Sequence, residues 1–404
     1  MLHDYEDMLP RKEAVTRVRS LRDRMLADAP TEQVPIDEIP GRSLAEPIDA
    51  GADRPAHDHA TMDGFAFDAA DGYPLSVIDD EVFPETEPPA IREGEAVRIA
   101  TGARLPERAN AVLKREEASL EDDRLKGKAI SPGTYVYERG SNVREGTRLF
   151  EANEVLSPKD AILLGDLGIE EIRVHERFSV GILATGTEIH EGRQADLDSP
   201  MLVGLIRSWG HKATYEGTVP DDYDRIERAL SGLAEKYDVL VTTGGTSIGH
   251  KDYVVQALDS LGEVLIHRVR IRPGKPIAVA RLPDSVAFAI PGKPIGAHTI
   301  ATLVARPFFR GEVRFPSFEA TLARDLGIGP EGFEYVVPIT LEGREAMPLG
   351  HTDSSMQVYG DTFDPSVLSS STRTSRADGF LITESRLEAG QRVSVVPYPV
   401  VECG

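Results

Sequence analysis

Two short apolar runs that break into glycine-rich turns limit what this chain can fold into. Residues 178–189 read FSVGILATGTEI and residues 237–252 read YDVLVTTGGTSIGHKD. Val239, Leu240 and Val241 are too few for a helix and fit a buried parallel strand. Between the two runs, residues 201–210 carry a helical pattern and residues 215–222 read as a strand ending in the turn Pro220-Asp221-Asp222. Residues 224–233 read as a helix with Ile226, Leu230 and Leu233 on one face. The order β, α, β, α, β implies a doubly wound α/β sheet, in which ligands lie beyond the carboxyl ends of the strands. Glu188, Asp221 and Asp252 fall at those ends.

The turns suit an oxyanion. Gly244, Gly245 and Gly249 let backbone N–H groups come close to a ligand, Thr242, Thr243, Thr246 and Ser247 bring hydroxyl donors, and Asp252 can hold a metal or activate water. One such turn is as often a plain chain reversal. A second of the same kind, Thr185-Gly186-Thr187-Glu188, points to one shared site. The cations are equally telling, because the chain has only 10 Lys against 35 Arg. Two of those lysines stand in near-identical contexts, Arg272-Pro273-Gly274-Lys275-Pro276 and Ile290-Pro291-Gly292-Lys293-Pro294. A Pro-Gly turn that ends in a cation can face an anion, or can simply be solvated; two copies flanking the strand at 285–290 favour the anion.

The net charge of −22 disfavours nucleic acid and anionic membranes as partners. Low lysine with abundant Asp and Glu resembles proteins of salt-loving organisms, whose acidic surface charges are screened. No apolar run approaches the roughly 18 residues that span a bilayer, and the acidic start MLHDYEDML is unlike a secretory signal, so a cytoplasmic protein is expected. The single cysteine, Cys403, supports neither disulfides nor thiolate metal sites.

Residues 11–27 form an amphipathic helix with Ala14, Val15, Val18, Leu21 and Met25 on one stripe. Residues from about 50 to 141 are rich in Pro, Gly and short β-prone runs and read as a small β domain, with the acidic stretch 116–123 as a hairpin tip. Residues 158–167 are helical, the α/β unit spans about 177–311, and the runs at 335–341, 379–383 and 392–396 make a compact β domain. His57-Asp58-His59 lacks a third ligand and reads as incidental. Trp209 reads as core or packed edge, and residues 366–375 as loop.

Taken together, these motifs resemble the molybdopterin molybdenumtransferase family, the MoeA and gephyrin E-domain type, over essentially the whole chain. The family's S-A-M-D-G-Y-A stands at residues 60–66, T-G-A-x-L-P-x-G-A-D-A-V at 101–112 and N-x-R at 142–144. Its S-T-G-D-E stands at 184–188, D-S-N at 198–200, G-G-x-S-x-G-x-x-D at 244–252, K-P-G-K-P at 272–276 and P-G-N-P at 291–294. The resemblance implies four domains: a helical and extended segment (1–50 and 142–176), an inserted β domain (51–141), a doubly wound molybdopterin-binding α/β domain (177–311) and a C-terminal β barrel (312–404). It implies a homodimer whose site joins the α/β domain of one subunit to the inserted domain of the other.

The implied reaction places molybdate or tungstate on adenylylated molybdopterin and releases AMP, assisted by magnesium. The residues it points to are Asp63, Glu188, Asp221 and Asp252 as catalytic groups, the last three also as metal ligands. Thr101, Gly102, Arg144, Thr185, Gly186, Asp198, Ser199, Gly244, Gly245, Ser247, Gly249, Arg272, Pro273, Gly274, Lys275, Pro291, Gly292 and Lys293 would bind the ligand.

The chain departs from the pattern at five places. Thr187 replaces the Asp of S-T-G-D-E, Pro200 the Asn of D-S-N, and Lys293 the Asn of P-G-N-P. Gly146-Thr147-Arg148 stands for G-E-D, and near residues 332–335, where G-R-x-x-F is usual, no arginine appears. The site so loses two acids and gains a cation. Three functions fit: a metal-inserting transferase, a non-enzymatic paralogue that binds molybdopterin or an oxyanion as carrier, sensor or partner subunit, and a molybdopterin adenylyltransferase. The extra β domains argue against the third.

Overall fold

A computed structural model describes residues 8–245, 252–311, 314–350, 363, 368 and 374–403. The chain forms two compact units: Met1–Ala45, Asn153–Ala161 and Glu171–Gly404 make one, and Glu46–Ala152 with Ile162–Glu170 the other.

In the first unit a six-stranded sheet has the order Lys212–Val219, Ser179–Thr185, Val239–Thr243, Val286–Ile290, Ala278–Arg281, Glu263–His267. The first four strands are parallel and the last two form an antiparallel edge. Every residue of Val239–Thr243 and Val286–Ile290 is buried, as befits strands covered on both faces. Alternation divides them between two cores. Val239 and Val241 pack with Leu205, Trp209, Phe288 and Phe308, whereas Leu240 packs with Ile226, Leu230, Val254 and Leu258. The chain runs from Ser179–Thr185 outward to Lys212–Val219 and back across to Val239–Thr243. Connections therefore diverge at the ends of Thr185 and Thr243, which opens a crevice.

The helix Arg11–Ala27 packs Ala14, Val18, Leu21 and Leu26 into the first core; Leu26 takes the place that the sequence stripe gives to Met25, which is only partly buried. Arg22 on the same helix is buried. Its guanidinium donates to Ser43 Oγ at 2.7 Å and to the Asn153 carbonyl at 2.9 Å, and burial lowers its pKa to about 10. Trp209 is core, with Nε1 donating to the Val401 carbonyl at 3.0 Å.

The C-terminal strands close on themselves. Glu334–Glu342 pairs with Glu345–Pro348, then Phe318–Leu322, Arg392–Pro397 and Gly379–Thr383, which returns to Glu334–Glu342. This five-stranded barrel is the β barrel expected from the sequence. A two-residue strand, Ile271–Arg272, adds to it in parallel beside Glu334 and Tyr335.

The second unit holds a six-stranded sheet in the order Ala111–Lys114, Gly64–Phe67, Glu95–Ile99, Leu75–Val82, Arg124–Lys126, Ser119–Glu121. The acidic hairpin turns at Asp122 and Asp123, both at positive φ, the backbone that a tight two-residue turn requires. Among the described residues no helix is long and apolar enough to cross a membrane.

Candidate active site

Four turns meet at the carboxyl edge of the parallel strands, and close approach is what glycine provides there. Thr185 Oγ donates to the Thr243 carbonyl at 3.2 Å, tying the ends of the two strands together. A Cβ on Gly244 would lie 2.4 Å from the Thr185 carbonyl oxygen, one on Gly245 2.5 Å from Val254 Cγ2, and one on Gly292 2.9 Å from Gly244 Cα. Gly296, just beyond the second Pro-Gly turn, packs against Gly274 in the first and against Pro291. The fold therefore assembles Thr185-Gly186, Gly244-Gly245, Pro273-Gly274-Lys275 and Pro291-Gly292-Lys293 at one edge. Gly244 also sits at φ +89°, so Gly244→Ala combines backbone strain with overlap and is expected to cost at least about 2 kcal/mol. Denaturant titration checks this; an unchanged midpoint would contradict the packing.

The same geometry corrects one expectation. The N–H groups of Gly186 and Gly244 do not face a ligand, because they donate to the carbonyls of Val219 and Ile290, each at 3.1 Å. In the other unit the Gly102 N–H is likewise spent on Ala60. These three N–H groups are therefore not the ones that would hold an anion. Ser247 and Gly249, with Thr246, lie outside the described residues.

Beneath the turns lies Asp198, a carboxylate 5% exposed at the start of the helix Asp198–Ser208. Its Oδ2 accepts from Thr243 Oγ at 2.9 Å, while Oδ1 has no partner among the described residues. Burial, with Asp196 nearby, raises its pKa to about 6, against the opposing bond from Thr243. Ser199 Oγ and Thr242 Oγ are also buried without a partner among the described residues.

Asp221 and Asp252 already have work in the fold. Asp221 Oδ2 accepts from the Thr187 N–H at 3.1 Å, and Thr187 Oγ accepts from the Asp221 N–H at 3.1 Å. A carboxylate at position 187 would face Asp221 as a like charge; the hydroxyl bonds to it instead. Asp252 caps the helix Tyr253–Leu261 through the Val255 N–H at 3.3 Å, with His267 Nε2 at 3.9 Å. Glu188, half-buried, stands in the first turn of Thr187–His190. All three offer the hard oxygen donors that magnesium takes. Among the described residues, however, no three His, Cys, Asp or Glu side chains converge as a metal-binding group, so the trio read from the sequence is not gathered.

In the second unit, Asp63 Oδ1 accepts from both the N–H and the Oγ of Thr101, each at 2.7 Å. These two bonds, backbone first, hold the exposed carboxyl below its usual range, with Arg115 adding to the effect. Asp63 is thus a fixed anion. Arg144 is exposed beside Asp53, whose carboxylate is held low first by the Glu145 N–H and then by Arg139.

The cations differ in setting. Lys293 is exposed at the start of the helix Pro294–Ile300, with no side-chain cap. Lys275 is half-buried. The Arg272 guanidinium lies over the ring of Phe333, Cζ 4.5 Å from its centroid. Reading the sequence residue by residue misses Phe333; the signal was the missing arginine at that place.

Two family models match the chain: the MoeA N-terminal region (domain I and II) over residues 9–168, and the probable molybdopterin binding domain over residues 181–311. A putative molybdopterin biosynthesis protein of Methanocaldococcus jannaschii is 30% identical over 341 residues, covering 80% of this chain and 85% of that protein. A molybdopterin molybdenumtransferase of Staphylococcus aureus is 29% identical over 383 residues, 89% of this chain and 90% of its own. Among solved structures, a molybdopterin biosynthesis MoeA protein from Pyrococcus horikoshii aligns with a TM-score of 0.67 at 28% identity, covering 96% of this chain and 99% of that one.

Proposed function

Because the chain belongs to the MoeA-type molybdopterin molybdenumtransferase family, with a role in molybdenum cofactor biosynthesis, we propose that it inserts molybdate or tungstate into adenylylated molybdopterin with release of AMP. One observation carries this reading. The first Pro-Gly turn, which carries Arg272 and Lys275, packs glycine against glycine on the segment that carries Lys293, in a chain of net charge −22. Cations drawn together against that background suit a ligand bearing phosphates and an oxyanion.

The chain's own groups divide the task. Arg272 and Lys275 bind and orient anionic oxygens, and Thr185 and Thr243 fix the floor of the crevice. Asp198 anchors Thr243 from below. Asp63, kept ionised by Thr101, and Asp252, at a helix start, supply carboxylates to accept a proton from attacking water as the phosphoanhydride opens. No step is assigned to magnesium, whose donors Glu188, Asp221 and Asp252 do not converge; its requirement is for assay. The reading carries with it a homodimer, as the resemblance implies, working in the cytoplasm.

The test is metal transfer. Protein incubated with adenylylated molybdopterin and molybdate should yield a product that reactivates a cofactor-free molybdenum enzyme. Tight binding with no reactivating product would instead favour a carrier or sensor, the reading to which the dispersed carboxylates lend support. Lys293→Asn is expected to keep transfer within about threefold, because Asn caps a helix start where Lys does not. A loss beyond tenfold would make Lys293 a ligand-binding residue in its own right.

A further inference from the structure

A second concavity lies at the opposite edge of the α/β sheet from the crevice. It is a cavity of about 580 Å³ beside the last turns of the helix Arg11–Ala27, where the strands that begin at Ser179, Lys212 and Val286 enter the sheet. The strand Ser179–Thr185 has seven residues and runs from this cavity to the crevice. At about 3.3 Å per residue the two lie roughly 20 Å apart, so the cavity is no extension of the site already described. Its volume is that of a small-molecule site.

The lining sorts by exposure. Leu21, Phe178, Leu282 and Val286 form a buried apolar floor, with Met25 half-buried beside them. Set among them is one hydroxyl: Ser285 is 3% exposed, and its Oγ has no partner among the described residues. The Ser285 carbonyl accepts the Leu282 N–H at 2.8 Å, so the backbone that carries the hydroxyl is fixed. A buried hydroxyl in this state calls for a ligand or a water to complete it.

The charges of the lining are of both signs. Three are committed: Arg281 donates to Glu263 at 2.6 Å, Arg177 donates to the Gly210 carbonyl, and Asp238 accepts from the N–H and Oγ of Ser179, each at 2.7 Å. Five exposed ones have no side-chain hydrogen bond or ion pair among the described residues: Arg24 and Lys212 on one side, Asp28, Glu176 and Asp284 on the other. An anion alone would meet three acids, and a cation alone would meet two bases. A ligand that carries both charges answers both sets.

We propose that this cavity binds a dipeptide-sized zwitterion with apolar side chains. Its carboxylate faces Lys212 and Arg24, and its ammonium group faces Asp28, Glu176 and Asp284. Its side chains cover Leu21, Phe178 and Leu282, and its central amide takes the Ser285 hydroxyl. A single free amino acid would leave much of the cavity to water. The proposal is independent of the transferase reading, because the cavity shares no lining residue with the crevice.

The experiment is calorimetric titration of the full chain with leucyl-leucine. Two capped probes are run beside it: N-acetyl-leucyl-leucine, which lacks the ammonium group, and leucyl-leucinamide, which lacks the carboxylate. Wild type, Lys212→Gln and Ser285→Ala are compared, with the melting temperature of each recorded. Wild type should bind leucyl-leucine with a Kd of about 1 mM or tighter, and each capped peptide at least about tenfold more weakly. Each variant should bind leucyl-leucine about three- to tenfold more weakly than wild type. Lys212→Gln should also narrow the difference between leucyl-leucine and its amide. Lys212 is exposed, so this variant tests the site even if Ser285→Ala fails to fold.

A wild type that binds no leucyl-leucine at about 10 mM would overturn the proposal. So would capped peptides bound as tightly as the free one, which would remove the zwitterion. Affinity unchanged in Lys212→Gln, or in a folded Ser285→Ala, would place the binding elsewhere and overturn it as well.

Discussion

Replacing Asp198 by Asn is expected to stabilise the protein by about 2 kcal/mol at pH 7 and by almost nothing at pH 4. The native carboxyl titrates near 6, against 3.8 for an ordinary aspartate, because burial penalises its charge. Between those values the folded chain holds a proton that the unfolded chain has lost. The contribution of this group is therefore fully present below about 4 and is lost as pH rises to about 6, at ~1.4 kcal/mol per unit. An amide never pays that penalty. It keeps an acceptor for Thr243 Oγ, but its NH2 inherits the unpartnered position of Oδ1, which returns part of the gain.

His211 works in the opposite sense. Buried, with Nε2 donating to the Phe309 carbonyl and Nδ1 accepting the Phe178 N–H, it is depressed to about 4 from 6.5, chiefly by burial. Its contribution is present above 6.5 and lost as pH falls to 4, so in the wild type it offsets Asp198. Asp198→Asn should uncover it, giving a variant that loses about 2 kcal/mol more than wild type between pH 6.5 and 4. Denaturant midpoints for both proteins across that range check this; parallel curves would mean that Asp198 is ionised throughout. A residue that costs this much at working pH is a mark of function rather than of stability.

The second large effect lies in turnover. Asp63→Asn and Asp252→Asn should each lower metal insertion by about 10²–10⁴-fold, the range for a positioned acid or base. Folding should be nearly unaffected. Asn at 63 keeps a carbonyl for both Thr101 donors, and Asn at 252 caps the helix as Asp does. Only the charge is removed. Single-turnover rates and melting temperatures separate the two quantities, and a rate within threefold of wild type would take that residue out of the mechanism. Loss in both would mean that both units of the chain contribute to the reaction.

The alternation of patterns made the α/β sheet legible in the sequence, because strands buried on both faces read as uninterrupted apolar runs. Helix positions such as Ile226, Leu230 and Leu233 were legible for the same reason. The barrel was visible as strands and was closed by resemblance. What sequence patterns hide is where backbone groups are spent. A glycine-rich turn announces close approach, but Gly186 and Gly244 turn their N–H groups to neighbouring strands, which only pairing in three dimensions reveals. Departures from the family pattern were visible one at a time, and their coupling was not. Thr187 bonds to Asp221 across 34 residues, and Arg272 meets Phe333 where the short strand Ile271–Arg272 pairs with Glu334 and Tyr335 of the barrel.

The most direct test of metal insertion is AMP release from adenylylated molybdopterin by the purified protein. It is run in concentrated potassium chloride, with and without magnesium, and with molybdate or tungstate in turn. The account predicts release that depends on the oxyanion and is abolished in Asp63→Asn. Tight binding of the adenylylated pterin with no release under any of these conditions would contradict it.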